Sequence, residues 1–201
     1  MQEKLPGKDA HALMSSVPLR TLDKYYNPKP DARKAAVMIL LLFERGKPKV
    51  VFIKRPDHPK DPHSGQISFP GGRIEEGDSS FQAGAIRETF EEIGVPQDDI
   101  KVIGALSKLY VFASNNLVYP YVGYVDYLPD FVKQESEVET VIMVPMDYFS
   151  DESKLLKKDL HVKGYILKDV PYYDLYGHTL WGATAMIFAE WLQIWKNTLA
   201  S

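Results

Sequence analysis

The longest apolar stretch of the chain is continuous rather than interrupted by polar residues. Residues 35–43 are rich in Val, Ile and Leu, a pattern typical of a strand whose two faces are both buried. Residues 44–47 carry the polar and glycine residues of a tight turn, and residues 49–54 are again largely apolar. The pattern therefore predicts a β-hairpin with a central strand.

Several shorter segments carry weaker strand signals. Residues 55–64 contain three prolines and two histidines and are predicted to form a loop, and a Pro-Gly-Gly turn is expected at residues 70–72. A helical turn is expected at 145–149. Strands are predicted at residues 66–69, 100–106, 117–125 and 137–144, with a further hairpin within residues 161–173.

The clearest helix is predicted at residues 79–93. Asp78 or Ser79 is expected to cap its start, with Gln82 completing a capping box, and Gly94 is expected to end it. Its apolar side is formed by Phe81, Ala85, Ile86, Phe90 and Ile93.

Two further helices are expected near the ends of the chain, within residues 8–16 and at 184–196. Residues 25–31 contain two prolines and read as an extended connector. We therefore expect an N-terminal appendage of a helix and an extended segment over residues 1–30, followed by one domain over residues 31–201. Strands mixed with a few helices, without strict alternation, predict an α+β fold.

Composition excludes several classes of protein. The formal net charge is −3 without a basic stripe, which argues against a nucleic-acid partner, whereas a small anionic ligand remains compatible. The absence of cysteine excludes disulfide scaffolds, thiolate zinc sites and cysteine nucleophiles. No apolar run approaches roughly 18 residues, and the first ten residues do not form a secretory signal, so we expect a cytoplasmic protein without a membrane partner.

Candidate chemistry centres on the predicted helix at residues 79–93. Glu88, Glu91 and Glu92 are spaced so that their carboxylates project from one face, where like charges repel. A divalent cation would turn this repulsion into attraction, and oxygen ligands suit Mg²⁺ or Mn²⁺. A solvated helix face is the alternative. Arg87 is placed to tie the preceding loop to the helix.

The same stretch resembles the catalytic motif of the Nudix hydrolases. The matching residues are Gly72, Asp78, Arg87, Glu88, Glu91, Glu92 and Gly94. Asp78 stands where that family usually has glutamate, and one extra residue separates it from Arg87. The resemblance implies an α/β/α sandwich with a mixed β-sheet, in which the motif forms a loop-helix-loop.

The resemblance also implies roles for individual residues. Glu88 and Glu92 are expected to bind the metal, and Glu91 to act as a further ligand or as the base that activates water. The backbone carbonyl of Gly72 is a further expected ligand. A late acidic residue often joins such a site, and Glu137 and Glu139, at the start of a predicted strand, are candidates; ordinary polar strand positions are the alternative reading.

A second resemblance concerns the substrate. Arg55 and residues 65–72 are similar to the segment of the coenzyme A pyrophosphatase branch of the Nudix family, and residues 181–185 match its Trp-Gly-x-Thr-Ala segment. Pro56 replaces the usual serine, and Lys60 is the only candidate for the second basic residue. This resemblance implies hydrolysis of coenzyme A or acyl-CoA to 3′,5′-ADP and a 4′-phosphopantetheine product.

Basic residues near this segment are candidates for holding the phosphates of the substrate. They are Arg55, Lys60, Lys54 and Arg73, with Gly71 as a backbone contact, and ordinary surface bases are the alternative. Two other functions stay open. One is hydrolysis of ADP-ribose, a dinucleotide or a nucleoside triphosphate, and the other is a non-catalytic module that senses nucleotides. A homodimer is plausible from family habit alone.

Overall fold

The computed structural model describes residues 5–17, 19–58, 63–162 and 164–200. Among these residues there are two long α-helices, one short α-helix and eleven strands. The helices are α1 (Lys8–Ala12), α2 (Phe81–Ile93) and α3 (Gly182–Ala200), and a 3-10 helix follows α1 at Leu19–Tyr25. Lys60 lies outside the described residues.

The strands form one large sheet and one small sheet. The large sheet contains β1 (Arg33–Glu44), β2 (Lys47–Lys54), β3 (Ile67–Ser68), β4 (Gly71–Arg73), β5 (Lys101–Ala105), β6 (Leu109–Val111), β7 (Asn116–Val125) and β8 (Thr140–Pro145). The small antiparallel sheet contains β9 (Leu155–Val162), β10 (Tyr165–Leu175) and β11 (His178–Leu180).

Strand β1 organises the large sheet. On one side it runs parallel to β7 along ten paired positions, from Arg33 opposite Asn116 onward. On its other side it pairs antiparallel with β4 near its start and with β2 near its end. Strand β2 also pairs antiparallel with β8 and β3. The sheet is therefore mixed, and the short segment from β3 to β4 is placed beside the first half of β1.

The two faces of β1 are buried by different helices. Met38 and Leu40 belong to the apolar cluster that contains Ala85 and Ile93 of α2. Ile39 belongs to a second cluster, which contains Phe188 and other residues of α3. Since successive strand residues point to opposite faces, burial on both sides explains the continuous apolar run that the sequence shows. The α+β sandwich expected from the sequence is confirmed.

Some predicted boundaries are wrong. Helix α2 begins at Phe81 and is capped by Ser80, whose hydroxyl accepts the backbone N–H of Ala83 at 3.1 Å, rather than by Asp78 or Ser79. The predicted turn at 70–72 contains most of β4, which pairs with β1, and β6 was not predicted. The last hairpin is longer than predicted, with its strands at β9 and β10, because the apolar signal of β9 is diluted by exposed charges.

The start of the chain packs against α3 through a buried polar network. His11 and Glu190 are both inaccessible to solvent, and their side chains meet at 3.1 Å. The same carboxylate accepts hydrogen bonds from the backbone N–H of Gly7 and from the backbone and hydroxyl of Ser107. Burial alone would raise the pKa of Glu190, but these hydrogen bonds lower it overall.

Candidate functional site

Strand β4 leads through a loop into helix α2, and the two elements pack against each other. Gly72 of β4 pairs with Ala36 of the central strand, so the rigid sheet fixes its position. The helix ends at Gly94, whose positive φ of 76° is a left-handed conformation that glycine adopts without a steric penalty. Glu88 and Glu92 lie one helical turn apart and face β4.

The two glycines of β4 allow the helix carboxylates to approach the backbone. A Cβ atom at Gly72 would lie 2.5 Å from the carboxyl carbon of Glu88. Gly71 has a φ of 144°, and a Cβ there would lie 2.3 Å from the carbonyl oxygen of Ala36. The backbone N–H of Gly71 donates a hydrogen bond to Glu92 at 2.8 Å. Side chains at either glycine would therefore move a carboxylate or the strand.

Three carboxylates converge beside these glycines. Oxygen atoms of Glu88, Glu92 and Glu137 lie within 4.8 Å of one another. The sequence had suggested that Glu137 begins a strand, and this is wrong. Glu137 lies in a turn, because β8 begins only at Thr140. The preceding loop is tied to α2 by a hydrogen bond of 2.9 Å from the backbone N–H of Gln134 to the carbonyl of Glu92.

Burial makes this cluster electrostatically unfavourable by itself. Glu92 is 1% exposed, and burial raises its pKa to about 8, opposed by the Gly71 N–H and reinforced by Glu88 and Glu137. Burial also raises the pKa of Glu88, although the Arg87 guanidinium opposes this. A divalent cation stabilises the ionised form of such groups, and an all-oxygen donor set suits a hard cation. The residues present thus fit a hard divalent cation.

Arg87 connects the loop to the helix with all three of its side-chain nitrogens. It binds both oxygens of Asp78, at 2.9 and 3.0 Å, and donates to the carbonyl of Arg73 at 3.1 Å. It also reaches Glu91 at 2.8 Å and Glu88 at 3.1 Å. The Arg87 hydrogen bonds lower the pKa of Asp78, whose side chain is only 4% exposed. Arg87 therefore fixes the loop against the helix, as predicted for it.

Glu91 stands apart from the three converging carboxylates. It does not belong to the group whose oxygens lie within 4.8 Å, its side chain is 52% exposed, and its carboxylate pairs with Arg87. It nevertheless lines the same cavity. This placement suits a residue that meets solvent or substrate better than one that contributes a close metal ligand.

A cavity of about 800 Å³ extends from the carboxylates across the α3 face of the sheet. Arg55, Arg73 and Gly71, all candidates for substrate contact, line it. Lys54 instead pairs with Glu139 at 2.7 Å, and neither residue lines this cavity among the described residues.

The two segments that resemble the coenzyme A branch meet in the cavity wall. The hydroxyl of Thr184, in the first turn of α3, donates to the carbonyl of Ile67 at 3.1 Å. Trp181 and Gly182 line the cavity on one side of this contact, and Gln66 and Phe69 line it on the other. These segments are more than one hundred residues apart in sequence and form one wall.

Other residues of the cavity were not anticipated from the sequence. Arg33 and Asn116 line it from the paired starts of β1 and β7, and Tyr25 and Phe112 line it from the 3-10 helix and from the turn before β7. None belongs to a recognisable motif. The parallel pairing of β1 with β7 brings Arg33 and Asn116 together, and tertiary packing places Tyr25 and Phe112 beside them. No local sequence pattern specifies these contacts.

No helix of the described part of the chain is long and apolar enough to cross a membrane.

Comparison with known proteins gives consistent results. A family model for the NUDIX domain matches residues 32–168. The chain is 31% identical over 158 residues to Nudix hydrolase 3 of Caenorhabditis elegans, covering 75% of this chain but only 65% of that protein. It is 32% identical over 162 residues to the Nudix hydrolase NudL of Yersinia pestis, covering 80% of this chain and 79% of that protein.

A solved structure supports the fold. The Nudix hydrolase RenU of M. smegmatis superposes with a TM-score of 0.54 and 14% identity, over 84% of this chain and 87% of that one.

Proposed function

The chain belongs to the Nudix family and is a pyrophosphohydrolase, and from this premise we propose that its substrate is coenzyme A or an acyl-CoA. Hydrolysis of the diphosphate, with Mg²⁺ or Mn²⁺, gives 3′,5′-ADP and the (acyl-)4′-phosphopantetheine. The observation that carries this proposal is the shared cavity wall of the two branch-like segments, joined by the hydrogen bond from Thr184 to Ile67.

In this proposal the carboxylates of Glu88, Glu92 and Glu137 and the backbone carbonyl of Gly72 would hold the cation. When bound, a divalent cation neutralises the charge of the diphosphate and makes water more acidic. The Gly71 N–H keeps one oxygen of Glu92 in place. The absence of a side chain at Gly72 lets the Glu88 carboxylate lie close to the backbone of β4.

Proton transfer is assigned to Glu91. Its carboxylate is accessible, lines the cavity and is oriented by Arg87, so it can accept a proton from the attacking water. Arg87 thereby acts as a positioning residue for Glu91 and Glu88 rather than as a group that meets the substrate.

The basic residues of the cavity are assigned to the phosphates. Arg55 and Arg73 both line it, and guanidinium groups bind phosphate oxygens with two parallel hydrogen bonds. Coenzyme A carries a 3′-phosphate in addition to its diphosphate, so a second basic group in the same cavity favours it over substrates without that phosphate. Lys60, the remaining basic candidate, lies outside the described residues.

The test compares kcat/KM for coenzyme A, 3′-dephospho-CoA and ADP-ribose, with Mg²⁺ and with Mn²⁺. We expect coenzyme A to be the best of the three, and Arg55→Gln to reduce its kcat/KM more than that of dephospho-CoA. Equal or faster hydrolysis of ADP-ribose would contradict the assignment of coenzyme A as the substrate, but not the assignment of pyrophosphate hydrolysis as the reaction. Nucleotide binding without hydrolysis of any probe favours the non-catalytic alternative.

A further inference from the structure

The end of the cavity beyond the carboxylates is built on one face of two parallel strands. Arg33 pairs with Asn116, and Ala35 pairs with Val118. Alternate strand residues share a face, so these four positions form a common floor, and all four line the cavity.

The distance from the carboxylates to Asn116 matches the length of a nucleoside diphosphate. Gly72, beside the carboxylates, pairs with Ala36, and the pair Arg33–Asn116 lies three residues earlier on β1. At the usual rise of a strand this corresponds to about 10 Å along the strands, and since β4 and β7 flank β1 on opposite sides, two strand spacings add about 10 Å across them. Gly72 and Asn116 are therefore about 14 Å apart, which is the scale of the separation between a diphosphate and the far edge of the nucleobase on the same nucleotide. A diphosphate at the carboxylates therefore places the attached base near Asn116.

The side chain of Asn116 has one polar atom in a hydrogen bond and one without a donor among the described residues. Its Nδ2 donates to the hydroxyl of Ser114 at 3.2 Å, and that hydroxyl is directed to the carbonyl of Val111 at 3.5 Å. Its Oδ1 is buried, and no described residue donates a hydrogen bond to it. A buried acceptor without a donor is unfavourable, so this oxygen favours a ligand that brings an N–H.

Two aromatic rings border the same end. Tyr25 is 6% exposed, and its ring lies 5.2 Å from that of Phe112, centroid to centroid. Phe112 remains 45% exposed although it lines the cavity. It therefore offers apolar ring surface to a flat ligand, and stacking on an aromatic side chain is how proteins commonly hold a nucleobase.

We propose that Asn116, with Phe112 and Tyr25, forms a subsite for adenine, in which Asn116 Oδ1 accepts a hydrogen bond from the 6-amino group. The assignment rests on the proposed function, which makes the substrate an adenine nucleotide. A 6-oxo purine presents an acceptor to Oδ1 and is disfavoured. An apolar acyl arm would find ring surface here but would leave Oδ1 unpaired, so the observations favour the base.

The test compares 6-amino with 6-oxo ligands in binding and in catalysis. Calorimetry gives Kd for AMP and IMP, and kinetics gives kcat/KM for coenzyme A and for its hypoxanthine analogue. We expect the wild-type protein to favour the amino form about ten-fold or more in both measurements. Asn116→Leu should reduce this ratio to near one, whereas Asn116→Asp, which keeps an acceptor, should retain it. Asn197→Leu, on an exposed turn of α3, is the matched control.

The outcomes separate this subsite from the proposed function. Equal Kd values for AMP and IMP in the wild-type protein overturn the subsite, whatever the variants do. A preference for AMP over IMP that persists in a folded Asn116→Leu protein also overturns the subsite, because another group must then recognise the 6-amino group. Failure to hydrolyse coenzyme A, with the AMP preference intact and dependent on Asn116, overturns the substrate and leaves the adenine subsite standing.

Discussion

Replacing Glu92 with glutamine should stabilise the metal-free protein while removing its activity. In the folded chain, burial raises the pKa of Glu92 to about 8 from its ordinary value of 4.5. The folded state therefore holds this proton more tightly than the unfolded state does. The protonated Glu92 therefore causes no loss of folding stability below a pH of about 4.5. The folded state loses stability relative to the unfolded state as the pH rises from there toward 8.

The size of the effect follows from the same shift. Between the ordinary pKa of 4.5 and the folded-state pKa of about 8, each pH unit lowers the free energy of unfolding by about 1.4 kcal/mol. The loss is therefore under ~1 kcal/mol at pH 5 and on the order of 3 kcal/mol at pH 7. Glutamine is neutral at every pH and keeps an oxygen for the Gly71 N–H. In EDTA, Glu92→Gln should therefore exceed the wild type in free energy of unfolding by about 2–3 kcal/mol at pH 7, with a gap that shrinks toward pH 5.

Urea denaturation at several pH values, with EDTA or with Mg²⁺, measures this gap, and steady-state hydrolysis measures activity. We expect kcat to fall at least ~100-fold and Mg²⁺ to stabilise the variant less than the wild type. Glu91→Gln is the control for stability, because its exposed ion pair contributes only about 0.5 kcal/mol. A variant that is less stable than the wild type in EDTA at every pH would refute the reasoning.

Three further predictions concern other parts of the structure. Gly72→Ala should lower kcat about ten-fold or more, because its Cβ displaces a helix carboxylate, whereas Gly104→Ala, which meets open space, should leave the hydrolysis rate unchanged. Arg87→Lys keeps the charge but loses the two parallel hydrogen bonds that the guanidinium makes to Asp78. Urea denaturation should therefore show a free energy of unfolding lower by about 1–2 kcal/mol, and kinetics a lower kcat. Glu190→Gln should cost about 2–3 kcal/mol at pH 7. Since hydrogen bonds lower the pKa of Glu190 against the effect of burial, the stability it contributes is present above its ordinary pKa and lost on acidification. The variant's unfolding free energy should therefore fall less steeply in acid, and an unchanged acid dependence would contradict its assigned role.

Local sequence predicted the elements whose pattern is local. The apolar run of β1 and the periodicity and closing glycine of α2 were sufficient to locate both, because propensity, burial and capping agree there. The choice of Ser80 over Ser79 as the cap was not predictable, since both residues are good caps and the loop geometry decides between them.

The site was predictable only as far as its parts share one motif. Glu88 and Glu92 lie on one helix, so spacing alone places them together, whereas Glu137 joins them through the loop that pairs with the end of α2. Asn116 and Tyr25 are brought to the cavity by the parallel pairing of β1 and β7 and by the packing of the N-terminal segment. Such contacts depend on tertiary structure, which no local pattern encodes.

The central claim is that Glu88, Glu92 and Glu137, together with the carbonyl of Gly72, hold the divalent cation that the hydrolysis requires. Anomalous diffraction from crystals of the protein grown with Mn²⁺ tests it most directly. The account predicts a manganese peak within about 2.0–2.3 Å of oxygens from these residues, which disappears in Glu92→Gln crystals grown in the same way. A peak elsewhere in the cavity with these carboxylates unengaged, or a peak that persists unchanged in the variant, would contradict it.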